Sequence, residues 1–484
     1  MIIKGYLFSI LYAGLCVLVA ALAGRLGVPK KYTRKLVHIL VGFEWVILSY
    51  YMRDNLVHFF VVCLICLALL FVDYKCKLVA AISSEGDNAP GTVYYAVAMS
   101  LMAAIMLFLP DMLLPFGVGV FCTSFGDGLA AVVGQSVKRH NPRIWREKTL
   151  FGTLTSLLVC VAVPLAFSAL YDEMALSVWH CVLIGVFAFE IELFAGRGLD
   201  NIAITLGASL LTYAMMYHPV VLDYILPIIL TPLIIAFAYG KRALTLGGIF
   251  AALALDLAVS ISLRNFGFAV LLTFFVGSVI VDKVKKRYKK AKNKSEIDRE
   301  KRGDCRDVVQ VLANGLISGA AAVMFFITDN RLFLFAFVAS LAEAFADSAA
   351  SGVGFFARRA YDPFRLERCE KGVSGGMSIL GTSASLVAAF AVSSVALAFG
   401  EISLIEMLII AAAAFLGAVF DSFLGSLFQV KYKCRVCQHI VERTEHCGEI
   451  TEKYRGFVPV SNDVVNFIST LFAATLAAII SIAI

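Results

Sequence analysis

SFGDGLAAVVGQ, residues 124–135, is an apolar stretch of small side chains that carries one bare carboxylate, Asp127. AFADSAASGVGF, residues 344–355, repeats the pattern with Asp347 in its place. Phe125, Asp127, Ala130, Val133 and Gly134 align without a gap with Phe345, Asp347, Ala350, Val353 and Gly354. Read as helix, Gly126, Ala130 and Gly134 fall on one stripe at four-residue spacing, as do Ala346, Ala350 and Gly354. A neighbouring backbone can then approach closely. An aspartate bordering such a seam inside a bilayer costs about 3 kcal/mol unless a cation neutralises it, which makes each one a functional candidate.

The rest of the chain places these stretches in a membrane. Of 484 residues, 60% are hydrophobic and 16% charged, and the mean hydropathy of +0.85 lies far above that of soluble domains. Apolar runs recur along almost the whole length, at roughly 20 residues per crossing. The expected fold is all-α and polytopic, with roughly sixteen transmembrane helices in two related modules. The first apolar run, residues 6–23, lacks a small-residue cleavage site and is read as a helix. Most of the twelve cysteines stand singly in apolar runs, which argues against a disulfide framework.

The net charge of +7 is concentrated in polar connections at 25–35, 75–77, 138–148, 241–242, 283–306, 358–371 and 431–455. Basic loops face the cytoplasm. Pairs of apolar runs joined by tight turns (FLPDM, LYDEM, YHPVV, ITDNR) separate them, and both termini then fall outside. Arg53, Arg264 and Arg331 are the outer basic residues that fit this topology least well. The run KKRYKKAKNKSEIDREKR reads as a solvated linker, with no nucleic-acid partner expected. Its NKS sequon at Asn293 lies on the wrong side for glycosylation.

Further motifs repeat in the same order. Lys148 to Gly152 in EKTLFGT is matched with Lys371 to Gly375 in EKGVSGG. RKLVHILVG (34–42) is matched with RDVVQVLANG (306–315), His38 facing Gln310, and LDNIAI around Asp200 and Asn201 with SNDVVNF (461–467). The boundary between modules is expected near residues 239–244, giving domains 1–238 and 239–484.

An intramembrane Asp near a basic loop and a Gly-flanked Lys suits a phosphate and Mg²⁺ site. Mg²⁺ takes one or two carboxylates and completes its shell with water and phosphate oxygens. Lysine neutralises phosphate, and glycine lets backbone N–H groups come near. The alternative is a packing device in which Asp127 pairs with Lys148. No GxxxxGK[ST] occurs in the chain, so a P-loop is excluded. Glu343 and Asp347 share a helix face, and Gly417, Asp421 and Gly425 form another stripe. The comparable extra acids of the first module are Glu190, Glu192 and Asp200. The expected metal set is Asp127, Glu192, Glu343, Asp347 and Asp421.

His38, on a helix entered by Arg34 and Lys35, is a candidate base or hydrogen-bond donor. Glu85 and Asp87 are candidate helix caps. CRVCQHIVERTEHC offers Cys434, Cys437, His446 and Cys447 to zinc, but adjacent His–Cys ligands are an awkward second pair, and ordinary reduced cysteines are the preferred reading. The many phenylalanines read first as packing and second as a groove for an isoprenoid chain.

At these motifs the first half resembles the phytol kinase and dolichol kinase family, membrane enzymes that phosphorylate polyisoprenoid alcohols with CTP. The second half, from KRALTLGG through AEAFADSAASGVG, GVSGGMSILG, FDSFLGSLFQ and NDVVNF, resembles the phytyl-phosphate kinase family, which adds a second phosphate. Together the two resemblances cover nearly the entire chain. They imply that nucleotide and metal lie at Asp127 and Lys148 in one half, and at Asp347, Asp421, Lys371 and Asn462 in the other. The expected catalytic residues are Asp127, Lys148, His38, Asp347 and Lys371, and the expected nucleotide contacts are Arg34, Lys35, Gly126, Gly152, Asp200 and Asn201 in one half, and Gly375, Gly376, Asn462 and Asn466 in the other. The expectation is a bifunctional, CTP- and Mg²⁺-dependent kinase of the cell membrane, its sites facing the cytoplasm, that converts an isoprenoid alcohol to its monophosphate and then its diphosphate. The rivals are a cytidylyltransferase forming a CDP-lipid, and a transporter with a repeated fold.

Overall fold

The computed structural model describes residues 1–76, 91–137, 139–145, 147–194, 198–241, 243–291, 305–365, 367–369 and 374–483. Lys371, Glu85, Asp87 and Asn293 lie outside them. The chain divides into two compact units, Met1–Leu222 and Asp223–Ile484. The division falls earlier than residues 238 and 239, because the helix Ile225–Gly240 packs on the helix that follows it.

The first unit contains α1 (Ile2–Arg25), α2 (Lys30–Val41), α3 (Glu44–Met52), α4 (Leu56–Cys76), α5 (Gly91–Met106), α6 (Leu113–Phe121), α7 (Gly128–Ser136), α8 (Leu150–Leu170), α9 (Val178–Phe194) and α10 (Leu199–Tyr217). Between α6 and α7 the chain runs through a π-helical turn, Cys122–Asp127. The second unit contains α11 (Ile225–Gly240), α12 (Leu246–Ala291), α13 (Val308–Thr328), α14 (Arg331–Gly354), α15 (Ile379–Ala398), α16 (Leu404–Leu427) and α17 (Asn462–Ile482). Among the described residues the strands are short and antiparallel, in three two-stranded sheets and one three-stranded sheet.

Among the described residues, 13 helices are long and apolar enough to cross a membrane. The difference from roughly sixteen has three causes. The 46-residue α12 is two helices joined at Arg264, whose φ of 56° breaks the helical path. Gly91–Met106 is apolar but short, and Val178–Phe194 has only 17 residues. Outward-facing leucine, isoleucine, valine and phenylalanine side chains are exposed along these helices, as a lipid-facing surface requires. The three basic residues that fitted the topology poorly each face an acid. Arg53 lies 3.9 Å from Glu173, Arg264 3.4 Å from Asp223 and Arg331 2.8 Å from Glu406.

The two units follow one plan. Taking α2 with α3 and α6 with α7 as single broken passes, and α12 as two, each unit runs through the same succession of helices. The packing agrees: α1 lies on α2, α5 and α6 on α10, and α8 on α9, while α11 lies on α12, α13 and α14 on α17, and α15 on α16. Two details make the likeness chemical. Ser9 of α1 donates its hydroxyl proton to buried Glu44 of α3, and Thr231 of α11 donates to buried Asp256 of α12 at 2.7 Å. Glu44 follows Thr33 by eleven residues, as Asp256 follows Thr245.

This plan corrects two of the matched motifs. The helix carrying His38 corresponds to the first part of α12, and Gln310, on α13, belongs with α5; RKLVHILVG and RDVVQVLANG are not equivalent. Nor is Gly375 the counterpart of Gly152. A Cβ on Gly152 would stand 2.8 Å from the Ala130 carbonyl oxygen and 3.3 Å from Gly134 Cα, and one on Gly381 would stand 2.8 Å from the Ala350 carbonyl oxygen and 3.2 Å from Gly354 Cα. Gly381 therefore closes the seam in the second unit. Gly375, at φ 80°, instead presses on the backbone of Gly425 and Ser426. The small-residue stripes are thus real helix seams. Gly381→Leu should force α14 and α15 apart and destabilise the protein by about 1–3 kcal/mol, read as a lower Tm in detergent than Gly376→Leu, a change at an exposed position.

Candidate functional site

In the first unit the seam delivers Asp127 into a group of charges. The π-helical turn ends on Asp127, and such turns insert an extra residue where a side chain must be re-aimed. Lys35 Nζ donates to Asp127 Oδ2 at 2.6 Å. His38 Nε2 lies 3.5 Å from the same oxygen and 3.3 Å from the Thr123 carbonyl oxygen. A carbonyl oxygen only accepts, so Nε2 carries the ring proton and Nδ1 is the basic nitrogen. Asp127 is buried, and Lys35 and His38 are mostly so.

A second pair stands beside the first. Lys148, in the loop just before α8, is bound to the buried Glu192 of α9 and lies 4.0 Å from Asp200 Oδ2 at the start of α10. Burial opposes the charge on Lys148, but Glu192, Asp127 and Asp200 together prevail and raise its pKa above the ordinary lysine range. Its charge is therefore complete below the ordinary value near 10.4 and is lost only above it. Glu192 Oε2 and Asn201 Oδ1 are buried and find no hydrogen-bond partner among the described residues. The Asn201 amide donates to the Gly91 carbonyl at 2.8 Å. The packing reading, Asp127 paired with Lys148, is corrected: the direct partners are Lys35 for Asp127 and Glu192 for Lys148. Gly126 lies on the α8 seam against Cys160, and Arg34 is exposed.

In the second unit Glu343 and Asp347 lie on α14, Asp421 on α16, and Ser469 on α17 bonds to Asp421 Oδ2 at 3.2 Å. Asp421 and Asp347 both bear electrostatically on Glu343, which is 1% exposed and has one oxygen, Oε1, without a hydrogen-bond partner among the described residues. Asn466 donates to Asn314 Oδ1 of α13 and accepts from Asn462, each at 3.2 Å. In the common plan Glu343 stands where Thr123 does, four residues before the aspartate of the seam. Asp421 takes the place of Glu192, at the same offset that relates Gly381 to Gly152. Gly376 is exposed.

Of the expected residues, the first unit brings Lys35, His38, Asp127, Lys148, Glu192 and Asp200 together, and the second groups Glu343, Asp347 and Asp421, while Lys371 lies outside the described residues. Glu190, one of the extra acids, is only half-buried. Glu44 and Asp256 were missed: each sits alone in an apolar run, and the signal that could have found them is a hydroxyl on the preceding helix. A largely apolar cavity in the second unit, between α11, α12 and α13, was also unforeseen. Ile235, Leu255 and Phe274 line it, with Arg306, Gln310 and Asn314 among its polar residues.

Known proteins with related sequences come from plants and bacteria, and one family of integral membrane proteins matches. The phytol kinase of Synechocystis sp. is 30% identical over 213 residues, 43% of this chain and 89% of its own. Protein VTE6, chloroplastic, of Arabidopsis thaliana is 26% identical over 257 residues, 50% of this chain and 68% of its own. Protein PGR of the same plant is 29% identical over 291 residues, 53% of this chain and 96% of its own. No solved structure matches. The model of the integral membrane protein family DUF92 matches residues 229–474. The match spans most of the second unit, and the chain belongs to this family of integral membrane proteins.

Proposed function

We propose that the protein is a bifunctional isoprenoid kinase of the cell membrane, its sites facing the cytoplasm. The first unit phosphorylates an isoprenoid alcohol with CTP, and the second phosphorylates the resulting monophosphate. The observation that carries the reading is the chemical difference between two sites built on one plan. An alcohol must lose a proton as it attacks phosphorus, and the first site holds an imidazole, His38, with a basic Nδ1. A phosphate monoester is already an anionic nucleophile and needs no base. No histidine occurs between residues 219 and 438, so the second unit has none on α11 to α16. Support also comes from the phytol kinase of Synechocystis sp. as a relative, and from the motifs shared with phytyl-phosphate kinases.

In the first step the hydroxyl oxygen attacks the terminal phosphorus of CTP. His38 Nδ1 takes the hydroxyl proton, the bond from that phosphorus to the bridging oxygen breaks, and CDP departs with its electron pair. Asp127 orients His38 and balances the imidazolium, while Lys35 and Lys148 neutralise phosphate oxygens. The unpartnered oxygens of Glu192 and Asn201 in one unit and Glu343 in the other are donors of the kind Mg²⁺ takes. Mg²⁺ held there, with Asp127 in the first site and Asp347 and Asp421 in the second, would supply charge neutralisation on the transferring group. In the second unit Lys371, with Gly375, is assigned to phosphate. The apolar cavity beside Asn314 suits an isoprenoid tail, since Asn314 is bonded to Asn466 next to the acids.

Purified protein incubated with CTP, Mg²⁺ and phytol or geranylgeraniol should yield prenyl monophosphate, then diphosphate, with one CDP released per phosphate added. Release of pyrophosphate and a CDP-lipid would replace the proposal with cytidylyl transfer. Absence of any phosphorylated lipid would favour transport.

A further inference from the structure

The loop between α16 and α17 carries four potential ligands that the kinase chemistry does not use. Its core is a three-stranded antiparallel sheet in which Lys431–Lys433 pairs with Ile440–Val441 on one side and Glu452–Arg455 on the other. A hairpin of Glu445–His446 and Glu449–Ile450 projects from it. Cys434 and Cys437 stand on the first turn, His446 and Cys447 at the second. The ligand atoms of all four lie within 4.8 Å of one another. His446 Nδ1 is 3.5 Å from Cys437 Sγ and 3.2 Å from Cys447 Sγ.

From these observations we propose that Cys434, Cys437, His446 and Cys447 form a tetrahedral structural zinc site. At Zn–S of ~2.3 Å and Zn–N of ~2.0 Å, ligand atoms around one zinc stand roughly 3.5–3.8 Å apart. The cluster has this donor set, the two His446 distances are close to this size, and all four ligand atoms, within 4.8 Å of one another, need only a small contraction to meet one ion. The objection from sequence, that adjacent His and Cys make an awkward second pair, is removed by the backbone. His446 pairs with Glu449, so Cys447 and Gly448 are the two central residues of a tight hairpin, and both have positive φ, 55° and 78°. This is the type I′ turn, and it folds Cys447 back beside His446. The other pair sits on a knuckle. Gln438 N–H donates to the Cys434 carbonyl at 3.0 Å, and Gln438 has a φ of 58°. Two non-glycine residues in the left-handed region within one short loop are costly, and bound metal would over-determine both.

The site would brace the second unit where the loop meets the segment before α15. Lys431 Nζ donates to the Ser374 carbonyl at 2.8 Å, and Ser374 Oγ donates to Gln429 Oε1 at 2.6 Å. Ser374 adjoins Gly375, so the zinc ribbon anchors the segment assigned to phosphate. The site itself does not depend on that assignment.

Binding zinc would displace the thiol protons of its cysteines, leaving a site of up to three thiolates and one neutral imidazole. Full-length protein purified without chelator should contain one zinc per chain by elemental analysis. Replacing the zinc with cobalt(II) should give the visible bands of a tetrahedral thiolate complex. Cys437→Ser and His446→Ala should each lose the metal, and Cys369→Ser, outside the cluster, should keep it. The wild-type measurements stand even if a variant fails to fold. Metal-free wild-type protein that takes up neither zinc nor cobalt, or a Cys434–Cys437 disulfide in protein purified under reducing conditions, would overturn the proposal. So would full zinc content in both variants.

Discussion

Replacing Asp127 with alanine should reduce phosphorylation of the alcohol by at least about 100-fold while leaving conversion of supplied monophosphate intact. Asp347→Ala should do the reverse. The reason is geometric: each aspartate sits in the seam of its own unit, Asp127 against Lys35 and His38, and Asp347 beside Glu343. In the first unit the change removes the carboxylate that orients the imidazole and leaves Lys35 uncompensated at a largely buried position. The measurement is a pair of rates per variant, alcohol to monophosphate and monophosphate to diphosphate, on protein whose Tm in detergent matches wild type. Loss of both steps in each variant would mean one shared site, and the assignment of one step per unit would fall.

His38→Gln should lower kcat for the alcohol by about 10²–10⁴-fold, the ordinary worth of a positioned general base, with little change in KM. The glutamine amide can still donate to the Thr123 carbonyl, so packing survives while the basic nitrogen is gone. The second step should not change. A variant that loses neither step would show His38 to be structural, and the chemical reason for ordering the two units would go with it.

How much of this was legible beforehand differs between parts of the molecule. The aspartate seams could be read because both units retain nearly the same letters there: small residues at four-residue spacing, with an acid at the edge. The Lys-x-x-x-Gly match failed at Gly375 because a local pattern does not register what a Cβ would strike. Gly152 and Gly381 are equivalent because each meets a helix carbonyl at 2.8 Å, a fact about two helices at once. His38 was matched with Gln310 for a similar reason. An arginine, some valines and a glycine resemble each other in many apolar helices, and only the neighbours of α2 and α13 tell them apart. Zinc was set aside because adjacent His–Cys ligands made an awkward second pair, and the positive φ at Cys447, which turns the chain back there, is not written in the letters. The count of roughly sixteen spans agrees with the helices once α12 is read as two crossings joined at Arg264.

The bonds from Ser9 to Glu44 and from Thr231 to Asp256 have a consequence for how the two units diverged. Both partners differ in identity between the copies, serine for threonine and glutamate for aspartate, yet a hydroxyl still greets a carboxylate across the opening pair of helices. Drift has exchanged the letters and kept the handshake. A single-copy relative whose residues have changed beyond alignment could therefore be recognised by that latch, sought in space between its first two crossings.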